Sequence, residues 1–176
     1  MFSKVGNKPL SAREIALQRG LEQAATALAA MLNDRVSIKL GSGRRPLLVG
    51  VSIWLKLKGA LPGSICLCLP ETLALELAKR LTQTRDLSLF DEMARSALME
   101  CGNLLASAFV AYFDESCGLR TLPSPPLLSL VPLQLPDFAE AFTAEFAVEF
   151  CQTQGRVFIG LDSAGLRALS ADATAG

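Results

Sequence analysis

The chain has 176 residues, of which 51% are hydrophobic, and its 17 basic and 17 acidic side chains cancel. A chain this apolar buries a core, which excludes disorder as its main state. The longest clean apolar stretch, residues 46–55, ends at Lys56 and is too short to span a bilayer. The first ten residues contain no apolar run of a secretory signal, so we expect a cytoplasmic protein.

Histidine is absent and cysteine occurs five times. Without imidazole, the chain cannot contain a Ser-His-Asp or Cys-His nucleophile pair, a histidine phosphotransfer site or most common transition-metal sites. The odd number of cysteines favours reduced, buried thiols over a disulfide framework. The spacing of Cys66-x-Cys68 also lacks the two-residue spacer of a zinc knuckle. Any catalysis must therefore work without imidazole.

Basic residues are concentrated near the N-terminus, where residues 1–60 contain ten Lys or Arg and three Asp or Glu. They alternate with apolar residues and have no interleaved aromatic residues suited to base stacking. We therefore expect no nucleic-acid partner, while an acidic protein partner stays open.

In the first half of the chain, Ser11-x-x-Glu14 forms a capping box ahead of an apolar helical pattern. Periodicity then predicts two strands paired across a glycine-rich turn, a third strand and a short helix. The predicted helix covers 15–32, and the two paired strands cover 36–40 and 47–58 with the turn at 41–46 between them. The third strand covers 64–69 and the short helix 70–81.

The second half repeats this order. A long helix opens at Ser88-x-x-Asp91 and continues to about Ser116, with Gly118 as its C-cap. A rigid proline-rich connector, two strands across a Gly155 turn, a short helix and a loose tail follow. The connector is predicted at 123–136, the two strands at 143–151 and 156–161, the short helix at 163–169 and the loose tail from Ser170.

The repeated order predicts an internal duplication of about 85 residues within a single domain, 1–176, with halves at about 11–83 and 88–169. Turns too short for parallel crossovers predict an α+β fold, in which two long helices pack on an antiparallel sheet.

On the second long helix, polar residues at spacings of four, three and four form one stripe: Ser96, Glu100, Asn103 and Ser107. The opposite, apolar face is predicted to pack on the sheet and comprises Phe90, Ala94, Ala97, Leu98, Cys101, Leu104, Leu105, Ala108, Phe109 and Tyr112. The stripe is typical either of a solvated helix face or of a surface that contacts a partner.

Ser96-x-x-x-Glu100-x-x-Asn103 is followed, after twenty-two residues, by Pro126. This pattern resembles the signature of the CheC/CheX/FliY family of CheY phosphatases, in which Asp or Ser, Glu, Asn and Pro stand at these spacings. Residues 90–98 and 24–32 are also similar to segments of that family, and the resemblance extends from about 11 to 161. It implies the duplicated CheC-like fold.

The resemblance places a second copy of the site in the first half. There Ser11, Ile15 and Gln18 fall at the Ser, Glu and Asn positions, and Gly41 falls where the proline stands. Ile15 cannot pair with a cation, and the capping role of Ser11 explains that residue. The first site is therefore expected to be degenerate, with activity left at most to Gln18.

The resemblance implies hydrolysis of the aspartyl phosphate of a CheY-type response regulator in chemotaxis. Asn103 would orient the attacking water, as a glutamine does in GTPases, and Glu100 would pair with the receiver lysine. Ser96 and Pro126 would contact the substrate protein, and Gly102 would let its backbone approach closely. Cys101 is expected in the core. The receiver would supply Mg²⁺, so the chain needs no cofactor of its own.

A second hypothesis keeps the fold without catalysis. In it the chain is an adaptor that binds a receiver, a flagellar switch component or a CheD-like protein, and the stripe serves only for docking.

Overall fold

The computed structural model describes residues 8–41, 50–131 and 134–172. Four helices and seven strands follow one another along these residues. They are α1 (Ala12–Leu32), β1 (Val36–Gly41), β2 (Val51–Gly59), β3 (Gly63–Leu69), α2 (Glu71–Thr82), α3 (Glu92–Cys117), β4 (Thr121–Pro123), β5 (Leu127–Ser129), β6 (Glu140–Val148), β7 (Cys151–Leu161) and α4 (Ser163–Asp172).

All the strands belong to one antiparallel sheet in the order β1-β6-β7-β3-β2-β4, with β5 also paired to β2. The predicted class, an antiparallel sheet with helices packed on it, is confirmed. The predicted pairing of the first two strands is wrong, because β6, β7 and β3 lie between β1 and β2. Residues 42–49 lie outside the described residues, and they include all of the predicted turn 41–46 except Gly41, together with the first residues of the predicted second strand.

The two long helices share one core with the sheet. Gly20 of α1 faces Phe109 and Phe113 of α3, and a Cβ at Gly20 would lie 2.8 Å from Phe113 Cε2. Strand β3 alternates as predicted: Ile65, Leu67 and Leu69 belong to this core, whereas the two cysteines belong to a small cluster on the other side of the sheet. That cluster comprises Cys66, Cys68 and Phe158, with Trp54, Leu135 and Phe138 packed against it.

The helix ends follow local chemistry. The Ser11–Glu14 capping box is present, and α1 ends at Asn33 in the left-handed conformation. α3 begins at Glu92, four residues later than the predicted start, and ends at Gly118 with a φ of 65°. The predicted packing of Phe90 on the sheet is wrong, because this residue precedes the helix and is 81% exposed.

Three other predictions for the second half are corrected. The proline-rich segment 123–136 is more than a connector, since it contains β5 and the last residue of β4, and both strands pair with β2. Gly155 does not turn the chain: it lies inside β7 opposite Phe146, and the reversal falls at residues 149–150. Ser170 belongs to α4 and not to a loose tail.

The strand order is pseudo-symmetric. If β1 corresponds to β4 and β5 together, β2 to β6, and β3 to β7, the order is the same when it is counted from either edge of the sheet. A duplicated chain would produce this order, but duplication and the domain boundaries stay predictions.

Among the described helices, only α3 is long and apolar enough to cross a membrane by length and composition. Its apolar residues pack on α1 and the sheet, so the core accounts for them.

Candidate functional site

The polar stripe of α3 lies on the surface. Ser96 and Glu100 are exposed, and Asn103 and Ser107 are half-buried. The buried residues of the helix lie on its other side: Ala94, Leu98, Cys101, Gly102, Leu105, Ala106, Phe109, Val110 and Phe113. None of the four stripe side chains makes a hydrogen bond or ion pair with the described part of the chain. The stripe therefore presents a carboxylate and a carboxamide that have no hydrogen-bond or ion-pair partner in the part of the chain that the structure describes.

The two residues between Glu100 and Asn103 are buried on the core side of the helix. Cys101 is 1% exposed, and burial, with a smaller contribution from the Glu100 carboxylate, raises the pKa of its thiol to about 12. A Cβ at Gly102 would collide with Ile53 Cγ2 of β2. Cys101 thus lies in the core, as predicted. The predicted role of Gly102 in partner approach is wrong, because its small size serves helix-to-sheet contact instead.

A shallow depression of about 710 Å³ lies beside the N-terminal end of the stripe, lined by Glu92, Met93, Ser96, Ala97 and Glu100. Met93 is 57% exposed, and Phe90, three residues earlier in the chain, is 81% exposed. A hydrogen-bonded turn fixes Phe90: its N–H donates to Ser88 Oγ at 3.2 Å, and the Ser88 N–H donates to Asp91 Oδ2 at 2.7 Å. Sequence periodicity missed this apolar surface because it does not show where the helix begins.

Pro126 lies at the sheet edge beside α3. β4 and β5 both contact that helix, and the segment between them, Ser124–Pro126, opposes only Leu55 and Lys56 of β2. Three residues facing two form a β-bulge. Ser124 anchors the bulge, since its N–H donates to Lys56 O at 2.7 Å and its Oγ accepts from Lys56 N at 2.9 Å. The structure therefore places the proline segment next to the helix that carries Glu100 and Asn103.

The corresponding residues of the first half have other roles. Ser11 caps α1, and Ile15 is 43% exposed. The Gln18 amide is bonded to the β1 edge: its Nε2 donates to Ile38 O at 3.0 Å, and its Oε1 accepts from Leu40 N at 2.7 Å. Nε2 also donates to the Glu22 carboxylate at 3.2 Å. Gln18 thus bonds within the protein, whereas the Asn103 side chain makes no hydrogen bond with the described residues.

A groove of about 800 Å³ lies between α1, β1 and the end of β6, and Gln18 and Glu22 line it. Within the described ranges no group of three or more Cys, Asp or Glu side chains is placed to hold a metal ion.

Solved structures share this fold. FliY from Thermotoga maritima matches with a TM-score of 0.72 and 16% identity over 95% of this chain and 98% of that one. CheX in a CheX–CheY–BeF3–Mg²⁺ complex from Borrelia burgdorferi matches with a TM-score of 0.67 and 24% identity, over 85% and 98%. The FliM middle domain from H. pylori matches with a TM-score of 0.65 and 11% identity, over 92% and 95%. The fold is therefore that of a class of chemotaxis and flagellar proteins.

The sequence identifies the family within that class. The family model described as chemotaxis phosphatase CheX matches residues 51–146, which include α3, its polar stripe and the proline segment. The chain belongs to this family, and the predicted membership of the CheC/CheX/FliY group is confirmed.

Proposed function

We propose that this protein hydrolyses the aspartyl phosphate of a CheY-type response regulator, using Asn103 and Glu100 on α3. One observation carries the proposal: in a chain of the CheX family, these two side chains share one surface stripe and have no partners among the described residues. The equivalent amide of the first half, Gln18, is occupied by the β1 edge.

Asn103 orients the attacking water. An aspartyl phosphate is an activated acyl phosphate, so its hydrolysis needs a well-placed water more than it needs a nucleophile from the enzyme. A carboxamide carries both a donor and an acceptor, and can hold one water in line with phosphorus. The half-buried position of Asn103 restricts its rotamers and so favours one orientation of that water.

Glu100 fixes the docked geometry. It lies one turn before Asn103 and is exposed, and its carboxylate is available for a charge-assisted hydrogen bond to the phosphate-contacting lysine of the receiver. Such a bond becomes stronger when docking excludes water from it. Glu100 thereby places the phosphoryl group over Asn103.

Neighbouring groups contribute to binding of the receiver. Ser96 lies a further turn back, in the depression beside the exposed Met93, and Pro126 lies in the segment between β4 and β5, two strands that contact α3. Mg²⁺ arrives with the receiver, which already holds its own phosphoryl group. The Borrelia burgdorferi neighbour, a CheX complexed with CheY, BeF3 and Mg²⁺, supports a receiver carrying Mg²⁺ as the partner.

A second candidate function is an adaptor without catalysis that binds a receiver, a flagellar switch component or a CheD-like protein. The likeness to the FliM middle domain favours this alternative, because the same fold occurs there. Both functions use the stripe for docking, and only the phosphatase needs the Asn103 amide for turnover.

Phosphate release from a Mg²⁺-loaded, phosphorylated CheY-type receiver of the same organism tests the proposal. We expect Asn103→Ala to abolish acceleration while binding to the receiver loaded with BeF3 and Mg²⁺ stays nearly unchanged. Alanine is tolerated in a helix interior, so folding does not confound this variant. Glu100→Ala should weaken binding, and Glu115→Ala, at an exposed position near the end of α3, is the matched control. If wild type and Asn103→Ala both bind the receiver and release phosphate at the same rate, the phosphatase proposal fails and the adaptor function remains.

A further inference from the structure

Two thiols lie side by side in the small cluster on the side of the sheet that faces away from the long helices. Cys66 and Cys68 alternate with core residues along β3, so both side chains point to this same side. Their sulfur atoms are 3.6 Å apart, and both are free thiols. The pair is therefore joined by a hydrogen bond from one thiol to the other.

The two thiols are chemically unequal. Their hydrogen bond lowers the pKa of Cys68 and raises the pKa of Cys66, which makes Cys66 the donor and Cys68 the acceptor. Burial raises the pKa of both thiols, while a hydrogen bond with Ser52 lowers that of Cys68 further. Because the thiolate is the nucleophile in cysteine chemistry, Cys68 is the more reactive member of the pair.

A pocket connects Cys68 to solvent. It has a volume of about 380 Å³ and lies where β3 passes into α2, beside β7. Cys68 lines the pocket together with Glu71 and Arg156, which contribute one charge of each sign. Cys68 is 5% exposed, and Cys66 is 0% exposed. A molecule of about the size of water that enters the pocket therefore reaches the sulfur of Cys68 before that of Cys66.

We propose that Cys66 and Cys68 form a redox-active dithiol, which a hydroperoxide converts to a disulfide within β3. In the first step the Cys68 thiolate attacks one oxygen of hydrogen peroxide, the O–O bond breaks, and the leaving hydroxide takes a proton from solvent to become water. In the second step the Cys66 sulfur attacks the sulfur of the Cys68 sulfenic acid. The S–O bond breaks, and the hydroxyl group leaves with the Cys66 proton as water. Two thiols are thereby oxidised to one disulfide while the peroxide is reduced by two electrons.

The strand geometry makes this disulfide easily reversible. Alternate residues of a strand have Cα atoms about 6.6 Å apart, near the upper end of the range that a disulfide spans. A bond formed at that separation is strained, and strained disulfides are reduced more readily than structural ones. The pair therefore fits a site that is oxidised transiently and then reduced by a thiol.

Peptide mapping of the folded wild-type chain tests the inference. The chain is treated with hydrogen peroxide, alkylated under denaturing conditions and digested with trypsin. Cleavage after Lys58 and Lys79 releases peptide 59–79, which contains Cys66 and Cys68 and no other cysteine. We expect this peptide to lose two hydrogens and to take up no alkylating reagent, and dithiothreitol before alkylation should restore two alkylated thiols. Two alkylated thiols after peroxide alone, or a disulfide from either residue to another cysteine, would overturn the inference.

Single variants separate the roles of the two thiols. In Cys66→Ala, Cys68 should stop at the sulfenic acid and be labelled by dimedone, whereas in Cys68→Ala the remaining thiol should stay reduced. Cys151→Ala, at a half-buried free cysteine of β7, is the matched control and should leave disulfide formation unchanged. Dimedone labelling of Cys66 in Cys68→Ala as fast as that of Cys68 in Cys66→Ala would overturn the assignment of Cys68 as the reactive thiol.

Trp54 gives a readout in the intact protein. It is the only tryptophan of the sequence, lies opposite Cys66 in the β2–β3 register and packs against the cysteine cluster. A neighbouring disulfide quenches indole fluorescence, so peroxide should lower the emission of Trp54 and dithiothreitol should restore it. An emission loss of the same size in Cys66→Ala and Cys68→Ala would overturn disulfide formation as its cause. Neither the peptide map nor the fluorescence depends on the proposed phosphatase activity.

Discussion

Replacing Gln18 with alanine should destabilise the protein without touching the candidate site on α3. The substitution removes two hydrogen bonds to the β1 edge, of 3.0 and 2.7 Å, and leaves Ile38 O and Leu40 N without those partners. At about 1 kcal/mol of net stability for each bond, we expect a loss of about 2 kcal/mol. For a chain of this length, that loss lowers Tm by about 4 to 8 °C.

Urea unfolding measures this loss, with Gln23→Ala as the matched control. Gln23 is a half-buried glutamine on the same helix and makes no hydrogen bond with the described residues. Hydrogen exchange at the Leu40 amide gives a local readout, since that N–H donates to Gln18 Oε1. Equal urea midpoints for the two variants, together with unchanged hydrogen-exchange protection of the Leu40 N–H, would contradict the two hydrogen bonds between the Gln18 side chain and β1.

Three further predictions follow from single contacts. Gly102→Ala should cost about 1 to 3 kcal/mol in urea unfolding, because the new Cβ collides with Ile53 of β2, and an unchanged midpoint would contradict that contact. Cys101 should resist thiol labelling at pH 8 in the folded protein, because burial raises its pKa to about 12, and should react only on unfolding. The capping hydrogen bonds from Ser11 lower the pKa of Glu14 below its ordinary value of 4.5, so the ionised carboxylate stabilises the fold above that pH. This stabilisation is lost as pH falls through the lowered value, and a pH series of unfolding midpoints should show Glu14→Gln removing that part of the pH dependence, because the backbone N–H of residue 11 is the main donor to the Glu14 carboxylate.

Local signals predicted the helices and the central strand. The capping box fixes the start of α1, and the alternation of Ile65 and Leu67 with the cysteines predicts how β3 faces the two sides of the sheet. Both features depend on residues a few positions apart, which is the range in which sequence patterns act.

The errors arise where distant segments decide the structure. β4 and β5 are three residues each and contain or adjoin prolines, so no periodicity reveals them, and only pairing with β2 makes them strands. Gly155 was predicted to turn the chain because glycine favours turns. It lies instead in β7, where a Cβ would come 2.8 Å from Cys68 O, so close approach of the neighbouring strand requires glycine.

For the site, the spacing of Ser96, Glu100 and Asn103 predicted a surface stripe, and the structure places all three on one side of α3. The sequence could not show that the Gln18 amide is hydrogen-bonded to β1, since its partners Ile38 and Leu40 lie twenty or more positions away. The contrast between the two amides therefore emerges only from the tertiary structure.

The most direct test of the central claim is the single-turnover loss of label from a ³²P-phosphorylated CheY-type receiver, in Mg²⁺, with the chain in saturating excess. We expect the wild-type chain to accelerate this loss and Asn103→Ala to leave it at the receiver's own rate while still bound. Equal acceleration by both proteins, or none by either despite saturation, would contradict catalysis through Asn103.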